Sequence, residues 1–302
     1  MPQSVEKESP IILAILVTHN PDMRRLTPLL QELANSKAST IVIDNNSKPK
    51  LIISDKIKLI ENRINEGLAA AQNQGIEYAK SNNFEHVLFL DQDSFISKLS
   101  IEKILEDLKL ISTHYKVGAI SPLYRGREEK NKYAPHIKIS KYGLLKKLKV
   151  KRSSKPREVD LLISSGKVVP VKVFDSVGPM NEELFIDYVD TEWCFRAKNQ
   201  GFHLFSSTRC ELIHDIGEGS KRFMGFNIPL HSPERRYYRA RNAVILLGMP
   251  HIPFAIALRE ILACIFHHIF FLLLWKNKKA YLRYLKKGFL DGTKELYRLK
   301  KI

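Results

Sequence analysis

Apolar runs alternate with amphipathic helical segments through the first 121 residues, and this alternation restricts the possible folds more than any other feature of the sequence. Ile11–Val17 is a continuous apolar run of the kind found in strands that are buried on both faces. Met23–Ser36 has the pattern of an amphipathic helix, and the same succession continues to a predicted strand at Val117–Ser121. Strands that alternate with helices predict right-handed crossovers. We therefore predict an α/β fold with a mostly parallel, Rossmann-like sheet flanked by helices.

The formal net charge of +17 is concentrated in two segments of this 302-residue chain. Lys138–Arg157 holds nine basic residues and no acidic one, and Lys276–Lys301 holds ten against Asp291 and Glu295. Such clusters are typical of proteins that bind nucleic acid or anionic lipid. The first cluster lies in a polar stretch, residues 125–157, that we expect to be a mobile excursion or a β-hairpin insert.

The C-terminal segment, residues 250–302, differs in character from the rest of the chain. Ile252–Trp275 is mostly apolar, but Arg259-Glu260 and His267-His268 interrupt it, and its unbroken part falls short of the roughly 20 residues that a spanning helix needs. Because a Lys-rich stretch follows, we predict amphipathic helices that lie on an anionic membrane surface. The alternative is a helical pair that packs on the core of its own domain.

Cysteine usage and the N-terminus both bear on the compartment. Cys194, Cys210 and Cys264 are too few and too scattered for a disulfide framework or a zinc site, as expected in a reducing cytoplasm. Residues 1–10 lack the cationic and apolar regions of a secretory signal. We expect these ten residues to be a tail that precedes a cytoplasmic domain.

The triplet Asp91-Gln92-Asp93 is the strongest chemical signal in the sequence. It closes the apolar run His86–Leu90, which places two carboxylates at the C-terminal edge of a predicted strand. Open α/β sheets bind ligands at that edge, and carboxylates there suit a hard cation that completes its shell with substrate phosphates. We therefore expect a phosphorylated donor held through a divalent metal. The alternative is a turn that only caps the following helix.

Seven short motifs follow one another along the chain. They are Val17-Thr-His-Asn20, Asp44-Asn-Asn-Ser47, Asn65-x-Gly67, Leu90-Asp-Gln-Asp93, the segment from Gly178 to Arg196, Ile213-His-Asp-x-Gly217 and Arg236-Tyr-Tyr-x-Ala-Arg-Asn242. In this order they resemble the motifs of glycosyltransferase family 2, which has the GT-A fold. Within the family, two of these sequences are most similar to those of bacterial rhamnosyltransferases, namely Leu-Asp-Gln-Asp-Ser and Phe-Ile-Asp-Tyr-Val-Asp-Thr-Glu-Trp.

The resemblance implies a GT-A domain over residues 11–249. Residues 11–124 would bind a nucleotide sugar and residues 158–249 the acceptor, with the basic insert at residues 125–157 between them. The implied reaction is an inverting transfer of L-rhamnose from dTDP-L-rhamnose to a polyprenyl-diphosphate-linked glycan, in O-antigen or capsule biosynthesis. We expect the protein to work as a peripheral protein on the cytoplasmic face of the bacterial inner membrane.

The resemblance also implies how the cation is held. Asp93 would be the main ligand, Asp91 would share the ion or contact the ribose, and His214 would complete the shell. The expected ion is Mg²⁺ or Mn²⁺, which would neutralise the charge that develops on the departing diphosphate.

Donor contacts are expected from residues of the first three motifs, namely Thr18, His19, Asn20, Asp44, Asn65 and Gly67. Asp44 would accept hydrogen bonds from the base or the ribose, and its alternative role is an Asx-turn. Asn65 and Gly67 would let the backbone approach the nucleotide closely, although either could be a turn residue.

A carboxylate near the acceptor hydroxyl is the expected general base. The family usually shows Glu-Asp at this place, whereas this chain has Val189-Asp190, so the first acid is missing. The resemblance puts the base on Asp190, with Asp187 as a substitute. An N-cap role is the alternative for Asp190. One attacking hydroxyl and one base predict inversion at the anomeric carbon.

Further contacts with the acceptor or the diphosphate are expected beyond the base. Ser165 and Gly166 would border the donor and acceptor clefts. Trp193 would stack on a sugar or belong to the core. Arg239 and Arg241 would grip a diphosphate or form a solvated helix face.

Three other functions remain open from the sequence. One is a family 2 transferase with another donor, such as a UDP-hexose. A nucleic-acid-binding protein would explain the charge, but the basic stretches lie outside the predicted sheet and lack interleaved aromatic residues, so we expect no nucleic-acid partner. A non-catalytic membrane scaffold is the third.

Overall fold

The predicted alternation of strands and helices forms a central sheet. The structure is a computed structural model, and it describes residues 11–55, 57–129, 132–140, 143–214, 220–223, 226–229, 232–274 and 278–299. Within these ranges the strands are β1 (Ile12–Thr18), β2 (Ser39–Asp44), β3 (Lys58–Glu61), β4 (His86–Asp91), β5 (Ser94–Ile96), β6 (Val117–Arg125), β7 (His136–Ile139), β8 (Leu145–Leu148), β9 (Arg157–Val159), β10 (Val168–Pro170), β11 (His203–His214), β12 (Ser220–Phe223) and β13 (Phe226–Pro229).

The sheet is mostly parallel, which confirms the prediction. Its strands lie in the order β3-β2-β1-β4-β10-β6-β11-β5, and β9 also pairs with β11. The first four strands of this order run parallel to one another, and β6 runs parallel to β11. Because β10 is antiparallel to both β4 and β6, those two strands point the same way. The carboxyl ends of β1, β2, β4 and β6 therefore lie at the same edge of the sheet.

Helices cover both faces of this sheet, as predicted. They are α1 (Met23–Ala34), α2 (Leu68–Ser81), α3 (Lys98–Ser112), α4 (Val173–Val177), α5 (Val189–Asn199), α6 (Pro233–Ile245), α7 (Phe254–Leu274) and α8 (Lys278–Leu299), with short 3-10 helices at Glu182–Leu184 and Leu246–Gly248. Alternate residues of β1 enter opposite cores, Ile15 and Val17 on one side and Ala14 and Leu16 on the other. Burial on both faces explains why β1 is apolar throughout.

Two strands are longer than their apolar patterns indicate. Strand β11 is one continuous strand, although its register against β6 shifts between Ser207 and Glu211. That irregularity leaves a polar stretch inside the strand, which in the sequence looks like a turn. Strand β6 continues past its predicted end at Ser121 because the far half of β11 pairs with it as far as Arg125. Asp215 and Gly217 of the sixth motif lie outside the described residues.

The polar stretch at residues 125–157 contains a hairpin, which was one of its two predicted alternatives. Strands β7 and β8 pair antiparallel over residues 136–139 and 145–148. The hairpin is attached to the domain by a bridge between Ile137 and Leu161 and by the N–H of Ile139, which donates to Asp160 at 2.6 Å.

The two C-terminal helices differ in how they contact the domain. Helix α8 lies directly on α6, since a Cβ at Gly288 would be 2.7 Å from the carbonyl oxygen of Tyr237 and one at Gly292 would be 2.6 Å from that of Arg241. This contact agrees with the alternative in which the C-terminal helices pack on the core of their own domain. Helix α7 buries Ile256, Ala257 and Cys264, but it exposes six apolar side chains at helical spacing: Phe254, Leu258, Leu262, Ile265, Phe266 and Ile269. Among the described helices, none is long and apolar enough to span a membrane.

Candidate active site

Asp91, Asp93 and His214 come together at the carboxyl edge of the sheet. Each offers one ligand atom, and these three atoms lie within 4.8 Å of one another. Asp91 is the last residue of β4, and β5 begins directly after Asp93. His214 is brought in by strand pairing, because the last residue of β11 pairs with Ser94 of β5. The histidine ring lies 3.8 Å from the Asp91 carboxylate and 3.6 Å from that of Asp93.

The electrostatics of this cluster suit a cation. Burial raises the pKa of Asp91, His214 opposes the shift, and the negative charges of Asp93 and Asp190 add to it. The Nδ1 atom of His214 is buried and has no hydrogen-bond partner in the part of the chain that the structure describes. Two carboxylates and one imidazole form a donor set that Mg²⁺ or Mn²⁺ accepts. The residues present therefore fit a divalent metal ion.

The capping role that was the alternative for the acidic triplet is wrong. Helix α3 is capped by Ser97, whose side chain accepts a hydrogen bond from the N–H of Ser100. Both aspartates precede this cap, and only Ser94 of the segment donates back, to the carbonyl oxygen of Asp91 at 2.7 Å. The two carboxylates are thus left for contacts outside the helix.

A loop at Ser164–Gly166 connects the metal-site candidates to Asp190. The N–H of Asp91 donates to Ser165 Oγ at 3.2 Å, and the N–H of Ser164 donates to Asp190 Oδ2 at the same distance. The N–H of Gly166 donates to the carbonyl oxygen of Phe89 at 2.8 Å, which holds the loop on β4. Gly166 has φ +80°, and a Cβ there would be 3.0 Å from Pro122, so both the conformation and the space favour glycine.

Asp190 lies in the first turn of α5 without capping it. The helix begins at Val189 and its N-cap residue is Tyr188, so the N-cap alternative for Asp190 is wrong. Its carboxylate accepts hydrogen bonds from the N–H groups of Ser164 and Thr191. No basic side chain pairs with it among the described residues. A carboxylate fixed by backbone donors and not neutralised by a cation can accept a proton from a hydroxyl.

Asp187, the substitute base, is engaged differently. The guanidinium of Arg235 approaches both oxygens of its carboxylate, at 3.3 Å each. Asp187 and its neighbours Phe185 and Tyr188 adopt positive φ angles of 63°, 61° and 64°. Such backbone persists only where the surroundings hold it in place.

Helix α6 supplies that support, through residues that the sequence did not single out for this role. The fully buried Asn242 amide donates to the carbonyl oxygens of Leu184, Ile186 and Asp187 at 2.7, 2.8 and 3.2 Å. Arg241 donates to the carbonyl oxygen of Glu183. The pattern Arg236-Tyr-Tyr-x-Ala-Arg-Asn242 was a signal for the family but gave no indication of these bonds.

Both arginines expected at the diphosphate contact the protein behind this segment. Arg239 is partly buried over the ring of Tyr188, at 5.6 Å from its centroid, and lies 3.8 Å from the Glu260 carboxylate. Nearby negative charges and the Tyr188 hydroxyl hold the pKa of Arg239 above its usual value in spite of burial. Arg241 is held by Glu183 and Asn242. Contact of either arginine with a diphosphate stays a prediction.

The residues expected at the nucleotide form one hydrogen-bonded rim around the ends of β1 and β2. Asp44 is buried, and it accepts from Thr18 Oγ1 at 2.7 Å and from the N–H of Ser47 at 2.8 Å. The N–H of His19 donates to Gln92 Oε1 at 2.7 Å, which joins this rim to the acidic triplet. The geometry of Asp44 is that of the Asx-turn alternative, and its donor contact stays a prediction.

Asn20, Asn65 and Gly67 complete the rim. Asn20 has φ 48°, and its side-chain oxygen accepts from the N–H of Lys48 at 2.8 Å. Asn65 accepts from the N–H of Gly67 at 3.0 Å. Gly67 has φ +90°, and a Cβ there would lie 2.6 Å from the ring of Phe185. The structure thus explains this glycine by its contact with Phe185, before any nucleotide is considered.

Trp193 does not have the role of a sugar platform. Its side chain is fully buried, its Nε1 donates to the carbonyl oxygen of Gly178 at 3.1 Å, and its ring packs near Phe174. No face of the ring is accessible to a sugar, so the sugar contact is wrong and the core alternative describes this residue. The sequence could not separate the two because a tryptophan one turn into a helix fits both.

A mostly parallel sheet with Asp91 and Asp93 at its carboxyl edge is the arrangement expected of a glycosyltransferase with the GT-A fold. The family model described as glycosyl transferase family 2 matches residues 14–178. The chain is 39% identical over 292 residues to the dTDP-rhamnosyl transferase RfbF of Shigella flexneri, covering 94% of this chain and 95% of that protein. The chain therefore belongs to glycosyl transferase family 2.

Two solved structures support the fold. That of S. aureus TarS 1-349 in complex with UDP-GlcNAc is 18% identical, with a TM-score of 0.55, and the match covers 96% of this chain and 83% of that chain. That of GalNAc-T7 with UDP, GalNAc and Mn²⁺ is 13% identical, with a TM-score of 0.56, over 88% of this chain and 58% of that chain.

Proposed function

We propose that this protein is an inverting, divalent-metal-dependent transferase that moves L-rhamnose from dTDP-L-rhamnose to a lipid-linked glycan. The observation that carries the proposal is the Ser164–Gly166 loop, which is hydrogen-bonded both to Asp91, one of the three candidate cation ligands, and to the carboxylate of Asp190. The choice of donor rests on the similarity to RfbF over nearly the whole chain. The proposed pathway is the assembly of O-antigen or capsule at the bacterial inner membrane.

Asp91, Asp93 and His214 would hold Mg²⁺ or Mn²⁺ in this proposal. A divalent cation held there would supply positive charge that stabilises the departing diphosphate, so that the leaving group would need no proton. Asp91 and the rim formed by Thr18, His19 and Asp44 would orient the nucleotide and ribose.

Asp190 acts as the general base. The acceptor oxygen forms its bond to the anomeric carbon, its proton passes to the Asp190 carboxylate, and the electron pair of the breaking C–O bond leaves with the nucleoside diphosphate. A single displacement of this kind inverts the anomeric configuration. Asp187 is the weaker candidate, since Arg235 already neutralises its charge at 3.3 Å.

The test measures dTDP release and product formation from dTDP-L-rhamnose with lipid-linked acceptor extracts, with Mn²⁺ or Mg²⁺ and with EDTA. We expect turnover that EDTA abolishes and that Asp190→Asn lowers about 100-fold or more. The control is Asp175→Asn, a change at an exposed aspartate on α4 that pairs with Lys80. Turnover only with a UDP-hexose would overturn the choice of donor, and full turnover in EDTA would overturn the metal.

The lipid-linked acceptor and the membrane location are supported by helix α7. Its six exposed apolar side chains form one stripe, and residues 250–302 are the segment for which we propose membrane association. The turn of the basic hairpin reaches the start of this helix, because a Cβ at Gly143 would lie 3.2 Å from Pro253 and from Ala255. Apolar surface beside exposed lysines suits an anionic bilayer surface.

Co-sedimentation with vesicles tests this membrane contact. We expect binding to vesicles that contain phosphatidylglycerol, and a loss of at least tenfold in Leu262→Glu, since burial of one leucine in lipid is worth about 1.5–3 kcal/mol. Leu110→Glu is the matched control, because Leu110 is equally exposed, at 58% against 57%, but lies on α3. Equal vesicle binding by both variants would contradict the proposal.

A further inference from the structure

A cavity of about 160 Å³ borders Asp190, and its lining residues do not include the metal-site candidates Asp91, Asp93 and His214. Its walls come from the end of β6, the loop before the Ser164–Gly166 turn, the start of α5 and the first strand of the hairpin. The residues that matter to the argument are Tyr124, His136, Ile137, Leu161, Asp190 and Thr191. One ordered water needs only about 10–15 Å³ of such space, so the cavity has room for a larger polar group. It is smaller than the roughly 300 Å³ at which pockets for drug-sized ligands begin.

The polar groups of this cavity are underused by the protein. His136 is 8% exposed, and neither of its ring nitrogens has a hydrogen-bond partner among the described residues. Burial, with the nearby charge of Arg157, lowers the pKa of His136 to about 4, so its ring is neutral at physiological pH. A neutral imidazole offers one donor and one acceptor, which matches a hydroxyl group. Tyr124 is partly buried near Asp190, and desolvation raises its pKa to about 12, so its hydroxyl stays protonated.

Much of the remaining wall is apolar. Pro122, Leu123, Ile137 and Leu161 line the same cavity. A pyranose ring has apolar C–H faces and hydroxyl groups at its edge, and it therefore matches a small apolar pocket with a few polar groups.

The hairpin creates this cavity. The N–H of Ala134 donates to the carbonyl oxygen of Tyr124 at 2.9 Å, and that of Asp160 donates to the carbonyl oxygen of Ile137 at the same distance. These bonds fold residues 134–137 over the end of β6 and leave His136 facing the space next to Asp190. The basic insert has no part in the proposed catalytic step, but its residues 134–137 form one wall of this cavity.

We infer that this cavity binds the sugar ring of the acceptor that carries the attacking hydroxyl, and that His136 is a specificity-determining residue that hydrogen-bonds a second hydroxyl of that ring. The inference rests on the proposed function, because it takes Asp190 as the base. The ring hydroxyl beside Asp190 attacks the donor. The hydrogen bond between His136 and a second hydroxyl orients the ring and so determines which hydroxyl lies beside Asp190.

Binding and turnover test the inference separately. Saturation-transfer NMR measures binding of octyl monosaccharide glycosides (glucoside, galactoside, N-acetylglucosaminide and rhamnoside) in the absence of donor. We expect the wild type to bind at least one, and His136→Phe, which keeps a ring of similar size without polar atoms, to bind it at least tenfold more weakly. The control is His203→Phe, because His203 is 43% exposed in its side chain and pairs with Glu158 outside the cavity.

Turnover with the same glycoside and dTDP-L-rhamnose gives the second readout. We expect KM for the glycoside to rise at least tenfold in His136→Phe while kcat at saturation falls less than threefold, with both constants unchanged in His203→Phe. Failure of the wild type to bind any glycoside, or equal binding by wild type and His136→Phe, would overturn the inference. Binding that depends on His136 without nucleotide release would leave the pocket standing and refute the proposed donor or reaction.

Discussion

Asn242→Ala should loosen the segment that carries Asp187 and leads into Asp190. The buried amide has two N–H groups and serves three carbonyl oxygens of residues 184–187 at 2.7, 2.8 and 3.2 Å. Each buried acceptor left without a donor costs about 1–3 kcal/mol, and two N–H groups are lost, so the free energy of unfolding should fall by about 3 kcal/mol. The three positive-φ residues of this segment, at roughly 1–3 kcal/mol each, would then relax toward ordinary backbone.

Urea unfolding and dTDP release measure the two consequences of this change. A displacement of about 1 Å at the base costs on the order of 100-fold in rate, so kcat should fall by that factor in the folded variant. The control is Asn82→Ala, in which an exposed amide loses one bond of 2.8 Å to Tyr78 and the stability should change by less than about 0.5 kcal/mol. The reasoning is refuted if Asn242→Ala loses less than about 1 kcal/mol and keeps kcat within threefold.

Three other perturbations test separate parts of the account. In nucleotide-release assays Asp190→Asn should lose far more kcat than Asp187→Asn, and the reverse order would move the base to Asp187. Gly67 and Gly201 both have a positive φ, of +90° and +77°, but only at Gly67 would a Cβ contact another residue. In urea unfolding, Gly67→Ala should therefore lower the free energy of unfolding by about 1–3 kcal/mol more than Gly201→Ala. Equal losses would show that this contact is unimportant. The pKa of His136 is about 4 in the folded protein and 6.5 in the unfolded chain. The contribution of the neutral ring to the free energy of unfolding should therefore be fully present above pH 6.5. It should fall by up to roughly 3 kcal/mol as the pH decreases toward 4. His136→Phe should flatten that decline, and an unchanged pH profile of unfolding would contradict the shift.

The order of the first elements could be predicted because β1 and most of β4 are apolar and buried, and because amphipathic helices lie between the strands. Helix α5, for example, ends at Asn199, two residues before Gly201, whose φ of +77° suits a glycine. The antiparallel strand β10 could not be predicted, since three residues within a longer apolar stretch carry no signal of direction. The continuity of β11 was hidden by the polar residues at its register shift.

In the candidate site, too, local sequence patterns predict some residues, while others depend on contacts between distant elements. Asp91 and Asp93 were placed correctly at a strand end, because the carboxyl edge of the sheet follows from the alternation of strands and helices. The approach of His214, more than 120 residues later, depends on the pairing of β11 with β5, which the sequence pattern does not reveal. His136 and Asn242 act through contacts across distant elements, so no local spacing could have identified them.

The most direct test of the account is the binding of Mn²⁺ to the purified protein, followed by electron paramagnetic resonance in the presence of dTDP. We predict one bound ion whose affinity falls at least tenfold in Asp93→Ala and in His214→Ala, and stays unchanged in Asp175→Ala. Binding of equal strength in all four proteins would show that the cation lies elsewhere and would contradict the central claim.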